Sequence, residues 1–133
     1  MSTITLTANN FEQTILEPAD DSSGIVFVDF WASWCGPCRQ FGPTYEAASK
    51  RHLDIVFGKV DTETEQALAA AANITSIPTL MAFKDGALVF AQPGALPPAV
   101  LEDLIDQVRA LDVEQLRAGA ARHQAAAVQR SGR

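Results

Sequence analysis

Cysteine is nearly absent from this chain, which has two among its 133 residues. Both lie in the segment Trp34-Cys35-Gly36-Pro37-Cys38, so none is left to form structural disulfides elsewhere. Small secreted domains that depend on disulfides use more cysteines, whereas cysteines kept for chemistry are typical of reducing compartments. We therefore expect a cytoplasmic protein.

Basic residues and long apolar runs are also scarce. Lysine and arginine number 10 against 16 acidic residues, and the net charge of −6 provides no basic surface for nucleic acid or for an anionic membrane. No apolar run reaches the length of a transmembrane helix. The first residues, Met1–Thr7, lack the basic start and the apolar stretch of a secretory signal. We therefore expect neither nucleic acid nor a membrane as a partner.

The composition is that of one compact domain, because 47% of the residues are apolar and 20% are charged. The apolar periodicity predicts the element order βαβαβαββα, an α/β fold with a mixed sheet of about five strands flanked by about four helices. The predicted strands are Ile4–Thr7, Ile25–Trp31, Ile55–Val60, Thr79–Phe83 and Leu88–Phe90. The predicted helices run to about Leu16, from about Cys35 to Arg51, to about Asn73, and from Pro97 onward.

Local signals mark the ends of several of these elements. Asn9 and Thr62, each followed three residues later by a glutamate, have the spacing of capping boxes at helix starts. Asp85-Gly86 predicts the tight turn of a β-hairpin. The last helix carries an apolar stripe that we expect to face the core, formed by Val100, Leu101, Leu104, Ile105, Val108 and Leu111.

The composition changes after Leu111. Residues 112–133 contain four arginines and two acidic residues, so this segment carries a charge of +2 and residues 1–111 carry −8. Large apolar side chains almost vanish there, and Gly119 and Gly132 favour fraying. We expect a domain over residues 1–111 and an alanine- and arginine-bearing tail over residues 112–133 that is partly helical or disordered.

Cys35 and Cys38 have the spacing of a dithiol that cycles with a disulfide. They follow an apolar strand and open a helix, which is the context of a redox-active site. Because N–H groups and the helix dipole favour a thiolate at a helix N-terminus, we expect a lowered pKa for Cys35 and assign it as the nucleophile. Cys38, on the same helical face, is assigned as the resolving thiol. The alternatives are a structural disulfide or half of a metal site, although His52 and His123 complete no usual zinc spacing.

A carboxyl group interrupts the apolar strand that precedes the cysteines. Burial would raise the pKa of Asp29 and would suit it to act as a general base near neutral pH. The alternative is an aspartate that is satisfied by local hydrogen bonds. Lys59 shares a strand face with Ile55 and Phe57, where it is either a partner of Asp29 or a lysine that reaches solvent along an apolar surface.

Together with the cysteine motif, two further segments resemble the thioredoxin family. The run Val28–Arg39, with the sequence VDFWASWCGPCR, is followed by Ile77–Thr79 and then by Gly94. This combination is far more specific than C-x-x-C alone, and the resemblance covers about residues 1–111. It implies the thioredoxin fold and a thiol-disulfide oxidoreductase that reduces protein disulfides.

The resemblance also implies roles for individual residues. Asp29 would take the proton of Cys38 through a water during resolution, with Lys59 as its neighbour. Pro78 would lie against the dithiol after a cis peptide bond, and the backbone of Ile77 would pair with an extended substrate segment. The flat apolar surface around the nucleophile would be formed by Trp34, Gly36, Pro37, Ile77, Gly94 and Ala95.

We expect no bound cofactor, because the chain has neither a dinucleotide fingerprint nor room for a flavin domain. The resemblance therefore implies a separate NADPH-dependent thioredoxin reductase as electron source, disulfide-containing proteins as substrates, and a monomer. The alternative function is a thioredoxin-like chaperone or binding module whose tail selects partners. Phe41-Gly42 after the motif, Pro93 before the glycine of the docking loop, and the tail depart from the family pattern.

Overall fold

The computed structural model describes residues 3–18 and 22–116. In chain order its elements are β1 (Ile4–Thr5), α1 (Phe11–Leu16), β2 (Ile25–Trp31), α2 (Gly36–Arg51), β3 (Val56–Asp61), α3 (Gln66–Ala71), β4 (Thr79–Lys84), β5 (Ala87–Pro93) and α4 (Pro98–Ala110). A further helical turn covers residues 113–116. The element order is the predicted one. The prediction that the tail is partly helical or disordered falls mostly on residues 117–133, which lie outside the described residues.

The strands form one mixed sheet in the order β1-β3-β2-β4-β5. β1 and β2 run parallel to β3, β4 runs antiparallel to β2, and β5 runs antiparallel to β4. Every residue of the central strand β2 is buried except Trp31, which is half-buried. The predicted α/β fold is confirmed, and the loop that carries Cys35 leaves the middle of the sheet.

Apolar layers cover both faces of the sheet, because successive residues of a strand point to opposite sides. Helices α2 and α4 cover one face, and the core there consists of Ile25, Phe27, Phe41, Tyr45, Ala48, Ile55, Phe57, Leu80, Ala82, Leu101, Leu104, Ile105 and Val108. Helices α1 and α3 cover the other face, and the core there consists of Leu6, Ile15, Val26, Val28, Phe30, Val60 and Met81.

The last helix buries most of its predicted stripe. Its buried residues are Leu101, Leu104, Ile105 and Val108. The prediction was wrong for Val100, which is 48% exposed because it lies in the first turn at the margin of the stripe. At the other end of α4, Lys84 Nζ donates hydrogen bonds to the carbonyl oxygens of Val108, Arg109 and Leu111. These bonds satisfy backbone acceptors that a helix end leaves open.

The two predicted helix caps are wrong. Helix α1 follows Asn10 rather than Asn9, and the Asn10 side chain accepts a hydrogen bond from Thr7 N at 2.7 Å instead of capping the helix. The Thr62 hydroxyl donates to Trp31 O at 3.0 Å, and α3 starts several residues later. Asn10 thus stabilises the loop before α1 and Thr62 binds the end of β2, so both side chains form bonds that compete with capping.

The turn between β4 and β5 uses a backbone conformation that most residues avoid. Asp85 has a φ of 50° and Gly86 has a φ of 83°. Glycine adopts positive φ without a steric penalty, and aspartate tolerates it better than most residues. Such turns match the twist of paired strands. The predicted hairpin is confirmed, because β4 and β5 pair antiparallel on the two sides of this turn.

Strand β3 passes so close to the side chain of Leu6 that only glycine fits at position 58. A Cβ atom on Gly58 would lie 2.3 Å from Leu6 Cδ1 and 2.8 Å from Leu6 Cγ. Leu6 is fully buried, so it cannot move aside without disturbing the core. A Cβ atom on Gly42, within α2, would meet no atom within 4 Å apart from its two chain neighbours and the backbone of its own helix.

These two glycines make a matched pair of test positions. We expect Gly58→Ala to lower the free energy of unfolding by about 1–3 kcal/mol through overpacking. Gly42→Ala should raise it by roughly 0.5–1 kcal/mol, because alanine is the better helix residue. Urea unfolding of both variants measures the difference, and equal effects of the two would contradict the close approach of Leu6.

Candidate active site

The two cysteines lie where the loop after β2 enters α2. Cys35 is the N-cap of α2, and Cys38 lies in its first turn. The two residues are joined by a disulfide, with their Cα atoms 5.2 Å apart. The backbone N–H of Cys38 donates a hydrogen bond to Cys35 Sγ, with the atoms 3.2 Å apart. The predicted location at a helix N-terminus is confirmed.

Solvent exposure of the whole residues does not distinguish the two cysteines, since Cys35 is 4% exposed and Cys38 is 5% exposed. Their positions in the helix do. The sulfur of Cys35 accepts an N–H from the first turn and lies at the positive end of the helix dipole. Negative charge is therefore favoured on Cys35, which is the property that a nucleophilic thiol needs.

A second loop closes over the disulfide. The carbonyl oxygen of Ile77 lies 3.7 Å from Cys35 Sγ, and the peptide bond between Ile77 and Pro78 is cis, as the family resemblance implies. Pro78 O accepts a hydrogen bond from Gly94 N at 2.8 Å. Gly94 has a φ of 109°, a conformation that favours glycine. The loops before β4 and after β5 therefore meet beside the cysteines.

The surface beside the disulfide is mostly uncharged. Trp34 is 63% exposed and is the largest side chain on it. Exposed with it are Gly36, Pro37, Gly94 and Ala95. Ile77 is half-buried, and Pro78 is buried beneath the surface. A partner would thus meet an indole ring and small residues around Cys35.

Glu63 belongs to this surface, although the sequence did not reveal it. Its carboxylate accepts a hydrogen bond from the indole N–H of Trp34. The bond orients the indole along a shallow groove of about 360 Å³ that is lined by Trp34, Thr62, Ala69, Ile74, Thr75, Ser76 and Ile77. No spacing rule connects residues 34 and 63, so the only sequence signal was an acidic residue in the loop after β3.

The carboxyl group of Asp29 is buried in the middle of the sheet. Asp29 is 1% exposed, and neither of its side-chain oxygens has a hydrogen-bond partner among the described residues. Desolvation raises the pKa of Asp29 from 3.8 to about 7, and the charge of Lys59 opposes the rise. The predicted upward shift of the pKa is confirmed, and the local hydrogen bonds of the alternative interpretation are missing from the described part of the chain.

Lys59 lies beside Asp29 on the neighbouring strand. The two residues are paired in the register of β2 and β3, so their side chains start on the same face of the sheet. The ammonium nitrogen of Lys59 lies 4.8 Å from the centroid of the Trp31 ring, within range of a cation–π interaction. Lys59 therefore acts on Asp29 through its charge while its ammonium group rests over Trp31.

The alternative of half a metal site finds no support in residues 3–18 and 22–116, where no three histidine, cysteine or acidic side chains cluster as metal ligands. His52 instead lies in a polar network at the far end of α2, with Nε2 2.9 Å from Glu102 Oε1 and Nδ1 3.1 Å from Arg109 Nη2. His123 lies outside the described residues. Within those same ranges, no helix combines the length and the apolarity that a bilayer crossing requires.

Comparison with known proteins agrees with this geometry. The family model described as thioredoxin matches residues 2–107. Over 126 residues the chain is 52% identical to the protein named putative thioredoxin 2 of Streptomyces coelicolor, which corresponds to 95% of this chain and 90% of that protein. Over 103 residues it is 42% identical to thioredoxin 1 of Synechococcus elongatus, covering 77% of this chain and 92% of that one.

The similarity extends to solved structures. Thioredoxin from Plasmodium falciparum superposes with a TM-score of 0.70 at 35% sequence identity. The superposition covers 79% of this chain and 98% of the other. The sheet order and the helix arrangement described above are therefore those of an experimentally known fold.

The raised pKa of Asp29 predicts a pH-dependent stability difference between the parent protein and Asp29→Asn. Below about pH 4 the carboxyl is protonated in both the folded and the unfolded state. Between about pH 4 and about pH 7 only the unfolded state loses the proton, so the parent protein loses stability, and above about pH 7 the loss is constant. The relative stability of Asp29→Asn should thus rise by on the order of 4 kcal/mol across that window.

Urea midpoints of the two disulfide-bonded proteins, measured from acid to mildly alkaline pH, provide the test. Burying an amide in the asparagine variant has a cost that does not depend on pH. The informative quantity is therefore how the stability difference between the two proteins changes with pH. Two stability curves that run parallel through the window would show that Asp29 ionises at an ordinary pKa.

Proposed function

This chain belongs to the thioredoxin family, and we propose that it carries out the thiol–disulfide exchange of that family with Cys35 as nucleophile and Cys38 as resolving thiol. It is a thiol–disulfide oxidoreductase that acts on protein disulfides, as thioredoxins are. The observation that carries the assignment of roles is the hydrogen bond from Cys38 N–H to Cys35 Sγ at the start of α2. It supports a thiolate on Cys35, the sulfur that must attack first.

The proposed exchange proceeds in two displacements. The thiolate of Cys35 attacks one sulfur of the substrate disulfide; that bond breaks, and the other substrate sulfur leaves as a thiolate. Cys38, after losing its proton, then attacks the sulfur of Cys35 in the mixed disulfide. The second substrate sulfur leaves as a thiolate, and the disulfide between Cys35 and Cys38 forms. Two electrons have moved to the substrate, whose thiolates take protons from water.

Asp29 is proposed as the general base for Cys38. A pKa of about 7 lets its carboxylate accept a proton near neutral pH, where an ordinary aspartate is a weak base. The charge of Lys59 keeps that pKa from rising further, so we assign Lys59 as the electrostatic partner of Asp29. The burial of both oxygens supports transfer from a thiol inside the protein.

Substrate docking is proposed on the uncharged surface beside the disulfide. The carbonyl of Ile77, 3.7 Å from Cys35 Sγ, is placed to pair with an extended substrate segment next to its disulfide. The remaining members of the proposed docking surface are Trp34, Gly36, Pro37, Gly94 and Ala95, and Pro78 supports this surface from beneath. The hydrogen bond between Pro78 and Gly94 supports a surface that keeps its shape when a partner binds.

The partners we propose are disulfide-containing proteins and a separate NADPH-dependent thioredoxin reductase, with no bound cofactor, nucleic acid or membrane. We also propose that the protein is a monomer. A cytoplasmic location is proposed because both cysteines belong to one reactive motif, which supports a reducing compartment. A chaperone or binding module is not favoured, because such a function does not require the Cys35–Cys38 pair at a helix N-terminus.

Replacing each cysteine in turn tests the assigned roles. Cys35→Ser should reduce insulin no faster than dithiothreitol alone, because the attacking sulfur is gone. Cys38→Ser should still attack but should stall as a mixed disulfide with the substrate, because the resolving thiol is missing. Insulin precipitation measures turnover, and mass spectrometry identifies the trapped species. A mixed disulfide that forms only through Cys38 would reverse the two roles.

We propose the domain boundary that the sequence predicts, with the domain over residues 1–111 and the tail over residues 112–133. Every residue to which we assign a role precedes Leu111. Val113 is 5% exposed, however, so its removal should expose core atoms. We expect truncation after Leu116 to leave the urea midpoint and insulin reduction unchanged. Truncation after Leu111 should lower the free energy of unfolding by roughly 1–3 kcal/mol while the protein stays active.

Val113→Ala in the full chain is the matched control, since it removes buried apolar atoms and leaves residues 112–133 in place. We expect it to account for most of the loss seen on truncation after Leu111. An inactive or unfolded protein after truncation at Leu116 would show that residues 117–133 are an integral part of the domain.

A further inference from the structure

Tyr45 is a fully buried phenol on α2 whose hydroxyl group has a fixed position. Its hydroxyl donates a hydrogen bond to Gly58 O on β3, with the oxygens 2.8 Å apart. The Tyr45 ring packs edge-on against Phe57 and at a tilt against Phe41, with centroids 5.3 Å and 5.5 Å away. The ring contacts and the hydrogen bond together tie the middle of α2 to β3.

Tyr45 shares its helix face with Cys38. Cys38, Phe41 and Tyr45 follow one another at spacings of three and four residues, and all three are buried. Residues at such spacings line one face of a helix. The hydrogen bond of Tyr45 to β3 therefore helps to fix the helix face that also carries Cys38.

Asp29 lies under this row. Phe27 belongs to the core on the α2 side of the sheet, and Asp29, two residues further along β2, points to the same side. Gly58, which accepts the bond from Tyr45, directly precedes Lys59, the residue paired with Asp29. The carbonyl that binds Tyr45 therefore lies one strand across the sheet and one residue along β3 from the position opposite the proposed general base.

The charges agree with this placement. Burial raises the pKa of Tyr45 well above its ordinary value, and the carboxylate of Asp29 adds to the rise. The groups whose charges reach one another here are therefore Tyr45 on α2, Asp29 on β2 and Lys59 on β3. Tyr45 and Asp29 share one region of low dielectric.

We propose that Tyr45 is a positioning residue for the resolving step, because its hydrogen bond to Gly58 holds the Cys38 face of α2 over Asp29. The inference rests on the proposed role of Asp29 as the base. Without the bond, the helix row above Asp29 keeps its apolar contacts but loses its only described hydrogen bond to β3 from this face. The distance between the Cys38 thiol and the carboxylate then varies, and proton transfer is sensitive to that distance.

The test separates the two displacements with a small disulfide, dithiobis(nitrobenzoate). Attack by Cys35 on the reagent releases a first thionitrobenzoate, and resolution by Cys38 releases the second. We expect Tyr45→Phe to leave the first phase unchanged and to slow the second by about three- to tenfold near neutral pH. The effect should vanish at about pH 5, where Asp29 is protonated and cannot accept a proton.

The decisive comparison adds Asp29→Asn. If Tyr45 acts through Asp29, Tyr45→Phe should slow the second phase no further in the Asp29→Asn protein. Ser49→Ala is the matched control, because it also removes a buried hydroxyl from α2 but one that bonds to Glu46 O within the helix. We expect it to leave both phases unchanged.

Three results would overturn the inference: an unaffected second phase in Tyr45→Phe, an equal slowing in the presence and absence of the Asp29 carboxylate, or an equal slowing by Ser49→Ala. A lower urea midpoint alone would assign Tyr45 a purely structural role. If Asp29→Asn by itself fails to slow the second phase, the proposed base is wrong, which is a different outcome from a failure of Tyr45 alone.

Discussion

The burial of one carboxyl group, that of Asp29, is the constraint on which the α2 side of this molecule depends. An aspartate without hydrogen-bond partners in the described structure destabilises the fold whenever it is ionised, and its pKa of about 7 measures that cost. Exclusion of water by the surrounding structure raises this cost, and the opposite charge of Lys59 lowers it without removing it. A fold that only had to be stable would place an apolar residue there. The retained carboxyl agrees with the role proposed for it, that of the base for Cys38.

Much of the fold could be predicted from the sequence where periodicity and burial coincide. β2 has the bounds that its apolar run predicts, because a strand covered on both faces needs apolar residues at nearly every position. The hairpin at Asp85-Gly86 follows from local backbone preferences alone. The predicted caps at Asn9 and Thr62 were wrong, because a short polar side chain has several backbone partners within reach and local sequence does not decide among them.

In the site, too, the features formed by contiguous residues could be predicted, and the contacts between separate segments could not. The position of Cys35 at a helix start follows from a strand, a turn and a helix that are contiguous in sequence, and the family resemblance implies the cis bond before Pro78. The bonds of Trp34 to Glu63 and of Tyr45 to Gly58 join residues from separate segments. Glutamate in a loop and tyrosine on an apolar helix face are common, so neither residue type signals a partner until the segments are packed together.

The N–H of Cys38 already points at the sulfur of Cys35 while the disulfide is intact. When the bond opens, charge develops on a sulfur whose donor is in place, whereas in water the solvent dipoles would first have to rotate. The reorganisation energy of the step is correspondingly small. In the opposite direction the same dipole stabilises the attacking thiolate, which raises the fraction of Cys35 that is ionised and lowers the intrinsic nucleophilicity of the ionised sulfur. The donor therefore favours the dithiol state, in which Cys35 holds the negative charge.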